Sequence, residues 1–415
     1  MSTHTPTPAP PLYTPHGGQL PRMALVRQHF DTTRIPDIRA AVAAGFRQHA
    51  PGTIEPGMRV AITAGSRGIA NIAGIIAAVA DEVRLLGAEP FVIAAMGSHG
   101  GATAEGQREV LQSYGVTEDQ VGCPVVTTTE VVPLGETDAG VTAYTNRIAH
   151  EADAIILLNR VKPHTILTGE LGSGLMKIAA VGLGNPMGAD SIHHMGLQQH
   201  VIPVARLVLQ RAPIKLGVAI VENSLDQTWK IETIPTAAIE EADKRLLREA
   251  RALLPNIPFD PLDLLIVDQI GKNFAGTGMD PNVIGMHRRI GGPPQREIGC
   301  IVACDLSDES HGNASGVGMA DVITEQLRAK IDWHATYTNG LTANNFGGVK
   351  LPVACASARA AVLLAMKPYN AESIRVVRVR NTAQLDEMWV SQALLAEIAS
   401  RPSLEQIGDL QEVNF

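Results

Sequence analysis

Four side chains able to move protons or act as nucleophiles or ligands sit within or beside glycine-rich turns. In "MGSHGG" (96–101), His99 stands among three glycines directly after an apolar run. Glycine there permits a ligand to come close and allows backbone angles closed to other residues. "RVKPH" places His164 just after the apolar run "AIILLN", with Pro163 fixing the turn. Two strand-end histidines that face each other across a crevice could serve as general acid and general base; otherwise they are loop histidines. "GSGLMK" brings Lys177 out of a glycine turn into the apolar "LMKIAAVGLG". Desolvation penalises a charge there, so Lys177 is either a helix-end cation or a reactive amine. His193 and His194 are adjacent and on a helix point about 100° apart, so at most one faces a shared site. "TAGSRG" (63–68) offers Ser66, Arg67 and backbone N–H groups to an anion, or simply caps a helix. It is neither a dinucleotide fingerprint nor a P-loop.

The second half carries further candidates. Gln269 and Lys272 in "DQIGKN" could bind a substrate carboxylate, and Lys272 could equally be a solvated strand-end charge. Asp305, His311, Asn313, Asn344 and Asn345 suit hydroxyl binding, but turns are the commoner use of Asp, Asn and Gly together. Cys300 and Cys304 lie in "EIGCIVACDLSD", a buried strand running into a loop, and read as core packing. With Cys123 and Cys355 scattered elsewhere, the four thiols form neither a disulfide framework nor a zinc ribbon.

These residues require a scaffold of strands and helices. The stretch 59–101 predicts strand (59–63), helix (69–87) and strand (90–95), a βαβ unit. "ADAIILLNRV" and "KLGVAIVE" read as further buried strands, and the parallel sheet is expected to continue to about residue 223. "TAAIEEADKRLLREARALLP" has helical spacing of its apolar residues and predicts a surface helix. Pro255, Pro258 and Pro261 then punctuate the chain before a strand at about 263, which marks a domain boundary. The expected organisation is α/β in two domains. Residues 1–255 form an N-terminal, Rossmann-like parallel-sheet domain that binds cofactor and does the catalysis, with 1–20 an extended, Pro-rich arm. Residues 256–415 form a smaller C-terminal α/β domain that closes over the substrate, with the active site between the two.

Composition narrows the function. Aromatic residues make up 4% of the 415, so Ala, Val, Ile and Leu must build the core, as in alternating strands and helices. A formal charge of −8 without a long Lys/Arg run argues against nucleic acid or a polybasic membrane contact. There is neither an apolar run of membrane-spanning length nor a secretory leader, which predicts a cytoplasmic protein acting on a small molecule.

The order and spacing of the glycine-flanked histidine, the "KPH" histidine, the glycine–lysine turn and the later histidine resemble the nickel-pincer-nucleotide lactate racemase family. That resemblance implies an isomerase, a racemase or epimerase inverting C2 of lactate or another 2-hydroxy acid. It implies a thiolated pyridinium mononucleotide joined to Lys177 through a thioamide and holding nickel in an S, C, S pincer, with His193 as fourth ligand. By the same resemblance His99 and His164 are the acid/base pair, Arg67 holds the cofactor phosphate and Lys272 takes the substrate carboxylate; Ser66, from its anion-binding turn, and Gln269, from its side chain, are placed beside them as cofactor and substrate contacts. Cofactor-synthesis enzymes become necessary partners, and association into a homo-oligomer stays open.

Physical chemistry agrees with this reading. A C–H beside both a hydroxyl and an ionised carboxylate is poorly acidic, because the carbanion would sit next to a negative charge. Loss of the hydroxyl proton with departure of hydride avoids that carbanion and gives a planar keto acid that can accept hydride on its other face. The polar loops "SDESHGNASG" and "TANNFGG" suit a larger or more hydroxylated acid than lactate. Two other classes stand beside this one: a divalent-metal hydrolase or lyase using some of these histidines, and a non-catalytic ligand-binding protein of the same fold.

Overall fold

The computed structural model of the chain describes residues 18–170, 172–342 and 345–415. In chain order its strands are β1 (Arg22–Gln28), β2 (Arg59–Ala64), β3 (Glu89–Ala94), β4 (Val125–Val126), β5 (Val131–Glu136), β6 (Thr142–Asn146), β7 (Ala154–Arg160), β8 (Ile214–Glu222), β9 (Thr228–Pro235), β10 (Leu262–Ile270), β11 (Ile298–Leu306), β12 (Val322–Thr324), β13 (Val353–Cys355), β14 (Val376–Asn381), β15 (Gln384–Ser391), β16 (Leu404–Gln406) and β17 (Gln411–Glu412). The chain divides into two compact units, Asp31–Leu254 and a second made of Pro255–Phe415 with the described residues up to Phe30.

In Asp31–Leu254 six strands form one sheet in the order β4-β3-β2-β7-β8-β9, and all neighbours are parallel except the edge pair β8/β9. Helices pack on both faces, which is why these strands are near-continuous apolar runs. Val60, Ile62 and Ala64 of β2 point into one core with Ile75, Ile76 and Val79 of the helix Ile72–Leu85. Ala61 and the β7 residues Ile155 and Leu157 point into the opposite core, against Leu175, Ile178 and Leu246. The expected βαβ unit is present as β2, that helix and β3. The parallel sheet ends with β8 at Glu222, and the antiparallel strand β9 that follows was not anticipated. A hairpin of β5 and β6 stands apart as its own two-stranded sheet.

Strand order reverses direction of growth between β2 and β7, since β3 and β4 extend one side and β8 the other. Such a switch opens a crevice at the carboxyl ends of the strands, where ligands of doubly wound folds bind. The β2/β7 ladder runs only to Ile62 opposite Ile156. Beyond it the Thr63 hydroxyl takes over, accepting from Leu158 N at 2.8 Å and reaching Leu158 O at 3.3 Å.

The other unit holds a nine-stranded sheet, β13-β12-β11-β10-β14-β15-β1-β16, with β17 also paired to β1. Its β10 to β14 neighbours are parallel, and the pairs made by β15 and β1 are antiparallel. Cys300 and Cys304 lie on β11 with half-buried thiols, each pushed up to about 12 by burial, as expected of inert packing residues. Strand pairing corrects the expected 1–255 domain for residues 22–28. Met23, Ala24 and Val26 of β1 are fully buried, and β1 is hydrogen-bonded to β15, β16 and β17. Of the expected arm over 1–20, residues 1–17 lie outside the described residues.

Val26→Asp would bury a charge in the core of the β10–β17 unit, costing at least about 3 kcal/mol. Hydrogen exchange should then lose protection in 384–391 while 59–94 keep theirs; the opposite pattern would assign the strand to the other unit.

Candidate active site

Three parallel strands end side by side and each delivers a polar loop. β2 runs into Gly65, Ser66 and Arg67; β3 runs into the loop ending at His99; β7 runs into Lys162, Pro163 and His164. Ser66 Oγ lies 2.7 Å from His99 Nδ1, Met96 O lies 3.1 Å from the same nitrogen, and Arg67 Nη2 lies 3.3 Å from Nε2. A carbonyl can only accept and a guanidinium can only donate. The network therefore assigns the ring proton to Nδ1 and leaves the Nε2 lone pair facing Arg67, a neutral imidazole. Burial first, then the charges of Arg67, Lys177 and His193, press His99 down to about 4, against a smaller opposing pull from the Met96 carbonyl. Its residue surface is more than a third exposed, so water screens part of that pressure.

Lys177 stands beside His164, with Nζ 2.9 Å from His164 Nε2. Ile166 N donates to His164 Nδ1 at 3.2 Å, so a neutral ring carries its proton on Nε2, directed at a Lys177 amine that accepts it. Burial and the Arg67 charge lower Lys177 to about 8, in keeping with an amine that gives up its proton readily.

Glycines explain how the loops fit together. Gly97 has φ +58° and donates to Gly182 O at 3.2 Å, docking the His99 loop on the segment that carries Lys177. A Cβ on Gly182 would stand 2.7 Å from Ala95 O. That segment is a short helix, Leu175–Lys177, which widens into a π-turn at Ile178–Gly182, a distortion common at functional sites. His193 and His194 follow in the last turn of Asn185–Met195. His193 is lowered by burial and by Lys177, with Asp190 opposing, and it acts electrostatically on His99. Ser66, Arg67, His99, His164, Lys177 and His193 are thus all linked within Asp31–Leu254.

The sequence reading passed over Asp243. It lies on the helix Ile239–Leu253, whose buried positions Ile239, Ala242, Leu246, Leu247 and Ala250 bracket it, so its place in the apolar stripe was the available signal. Its carboxylate accepts from Leu175 N and Met176 N, both at 2.9 Å, two residues ahead of Lys177.

The remaining candidates belong to the other unit. Lys272 Nζ donates to Gly276 O at 2.7 Å and Asn339 Oδ1 at 2.6 Å, and Gln269 Nε2 is 3.5 Å from Asp305 Oδ2. Gln269 and Asp305 line an open cavity of about 590 Å³ together with Asp268, Arg378, Arg380 and Trp389. Asn313 and Asn345 accept from the backbone N–H groups of Ser315 and Gly348, the turn role weighed above. His311 sits at φ +47° after the turn Asp308–Ser310. Asn344 lies outside the described residues. Among the described residues no three His, Cys, Asp or Glu side chains come together in a way that could hold a metal ion.

A doubly wound α/β unit with basic and imidazole groups converging at its switch point defines a class of small-molecule site, and comparison with known proteins shows what it resembles. Residues 37–197 match the lactate racemase N-terminal domain family. The fold is similar to that of the lactate racemase apoprotein from Thermoanaerobacterium thermosaccharolyticum, with a TM-score of 0.57 at 10% identity over 87% of this chain and 98% of that one. No curated protein matches the sequence. The domain match places a lactate racemase N-terminal domain over residues 37–197, and the likeness to the solved structure is one of fold. No helix among the described residues is long and apolar enough to cross a membrane.

Acid should act on this site with a definite sign. His99 binds a proton near 4 when folded and near 6.5 when free, so the stability it contributes is present above pH 6.5 and lost as the pH falls through about 4. Arg67→Ala removes one cation from that balance, and the His99 midpoint followed by NMR should move upward. A midpoint that stays in place would remove Arg67 from the causes and leave burial, Lys177 and His193.

Proposed function

We propose that this chain inverts C2 of a 2-hydroxy acid by paired proton and hydride transfer, using a nickel-pincer nucleotide tethered to Lys177. The observation that carries the reading is the convergence of His99, His164, Lys177, His193 and Arg67 at one set of strand ends. The donor set fits that cofactor. A metal that arrives with most of its own ligands needs one imidazole from the protein, and His193 would supply it. Lys177, held as an amine beside His164, suits covalent attachment, and Arg67 with Ser66 suits a phosphate. Bound there, the group would supply an electrophilic centre suited to hydride chemistry.

The chain's own residues do the rest. His99 and His164 present a base to either face of the substrate and exchange the roles of acid and base with its configuration. Pairing of Arg67 with an anion, and conversion of Lys177, whose protonated form is cationic, to an uncharged amide-type group, would each relieve part of the positive charge that adds to burial in holding His99 down. His99 then moves toward its ordinary value and becomes the stronger base. Gln269 and Lys272 of the other unit are assigned to the substrate carboxylate, a role basic groups commonly take. Residues 31–254 are thereby the cofactor and acid/base unit, and the protein works in the cytoplasm with enzymes that make the cofactor.

Protein co-produced with those enzymes should carry a nucleotide-sized mass increment and nickel, and Lys177→Ala should carry neither. His99→Ala and His164→Ala should lose about 10²–10⁴ of the rate at which a 2-hydroxy acid loses optical activity. An unmodified chain without nickel under those conditions would return the site to hydrolase or binding chemistry.

A further inference from the structure

Lys177 hangs from a short helix whose first N–H groups would otherwise be unsatisfied. They are taken by a side chain far away in sequence. Asp243 Oδ1 accepts from Leu175 N and Oδ2 from Met176 N, each at 2.9 Å, so both carboxylate oxygens are committed to the turn that carries the lysine. The glycine before the helix is there to admit them. A Cβ on Gly174 would lie 2.4 Å from each Asp243 oxygen, closer than any side chain tolerates. Gly172 is constrained in the same way by Leu247 and by Lys162 O, at 2.6 and 2.7 Å from its would-be Cβ. Asn159, at the end of β7, donates to Gly174 O at 2.9 Å, and Lys162 and Ser173 exchange backbone hydrogen bonds, both at 2.9 Å. The "GSG" that precedes Lys177 is therefore gripped by β7 on one side and by Asp243 on the other.

The geometry points to Asp243 as the positioning residue that sets Lys177 Nζ against His164, acting through the backbone of Leu175 and Met176. This rests on Lys177 being the reactive amine of the proposed function. The cavity beside these residues, lined by Met176, Lys177, Asp243 and Leu247 among others, measures about 10 Å³. That is room for about one water and not for a ligand, so the arrangement is a clamp and not a second binding site. Asp243 is half-buried, and burial raises its carboxyl to about 6 against the lowering effect of the Met176 and Leu175 N–H bonds. A carboxylate placed there at such a cost has to be held by those two donors, which ties its position to theirs.

The test uses the full chain without cofactor and a small acylating reagent, acetic anhydride. Modification at Lys177 is read by peptide mass spectrometry across a pH series, with exposed Lys367 as internal reference. Lys177 of the unaltered chain should titrate near 8, and in Asp243→Ala, Asp243→Asn and Gly174→Ala its midpoint should climb toward 10.5 as the amine leaves its place beside His164. Gly174→Ala displaces the carboxylate without deleting it, and Asp243→Asn keeps the shape, so the set stays informative if Asp243→Ala fails to fold. A purely structural Asp243 predicts a lower melting temperature with the Lys177 midpoint unmoved in every folded variant, and that result would overturn the assignment. Because no cofactor is involved, the labelling outcome is independent of the mass and nickel test.

Discussion

Positive charge crowded against positive charge is the constraint on which the site depends. Arg67 presses on both His99 and Lys177, and Lys177 presses on His99 and His193. Asp190 opposes the lowering of His193, and the Met96 carbonyl opposes that of His99. In a partly desolvated crevice such a group of bases is stable only with most of its members neutral. The hydrogen-bond network agrees for the two imidazoles in their neutral forms: a lone pair on His99 Nε2 and a proton on His164 Nε2. The scaffold must then hold neutral donors and acceptors in fixed pairs, since loose ones would recapture protons from water.

This need accounts for the glycines. Gly97, Gly174 and Gly182 each stand where a Cβ would push apart two elements that the site requires in contact. The switch point between β2 and β7 supplies the crevice, and the Thr63 hydroxyl ties its inner end where the ladder stops. A fold similar to that of a solved lactate racemase apoprotein is reached with 10% identity, in keeping with aliphatic layers that tolerate exchange of side chains of like size.

How much of this could be read from the sequence depended on how local the determinant was. The strands before His99 and His164 are short apolar runs closed by turn residues, and the glycine-flanked positions of His99, His164 and Lys177 follow from adjacent residues. Their convergence was legible only as a resemblance, because the spatial neighbours Arg67 and His99, or His164 and Lys177, come from different loops. Asp243 was hidden by its company: among the charges of a strongly amphipathic helix, one acid on the buried face looks like its solvated neighbours. The edge strand β9 and the placement of β1 depend on long-range pairing, which local patterns do not encode.

The position of β1 has a consequence for how the chain is made. The unit that contains it is discontinuous, interrupted by the whole of Asp31–Leu254. During synthesis the interrupting unit is complete once Leu254 has emerged and can close on its own contacts. Strand β1, made before it, must wait unpaired until β15, β16 and β17 appear at the far end of the chain. A strand translated ahead of the interrupting unit is thus satisfied only after it, and an apolar edge with Met23, Ala24 and Val26 stays open to wrong partners throughout that interval.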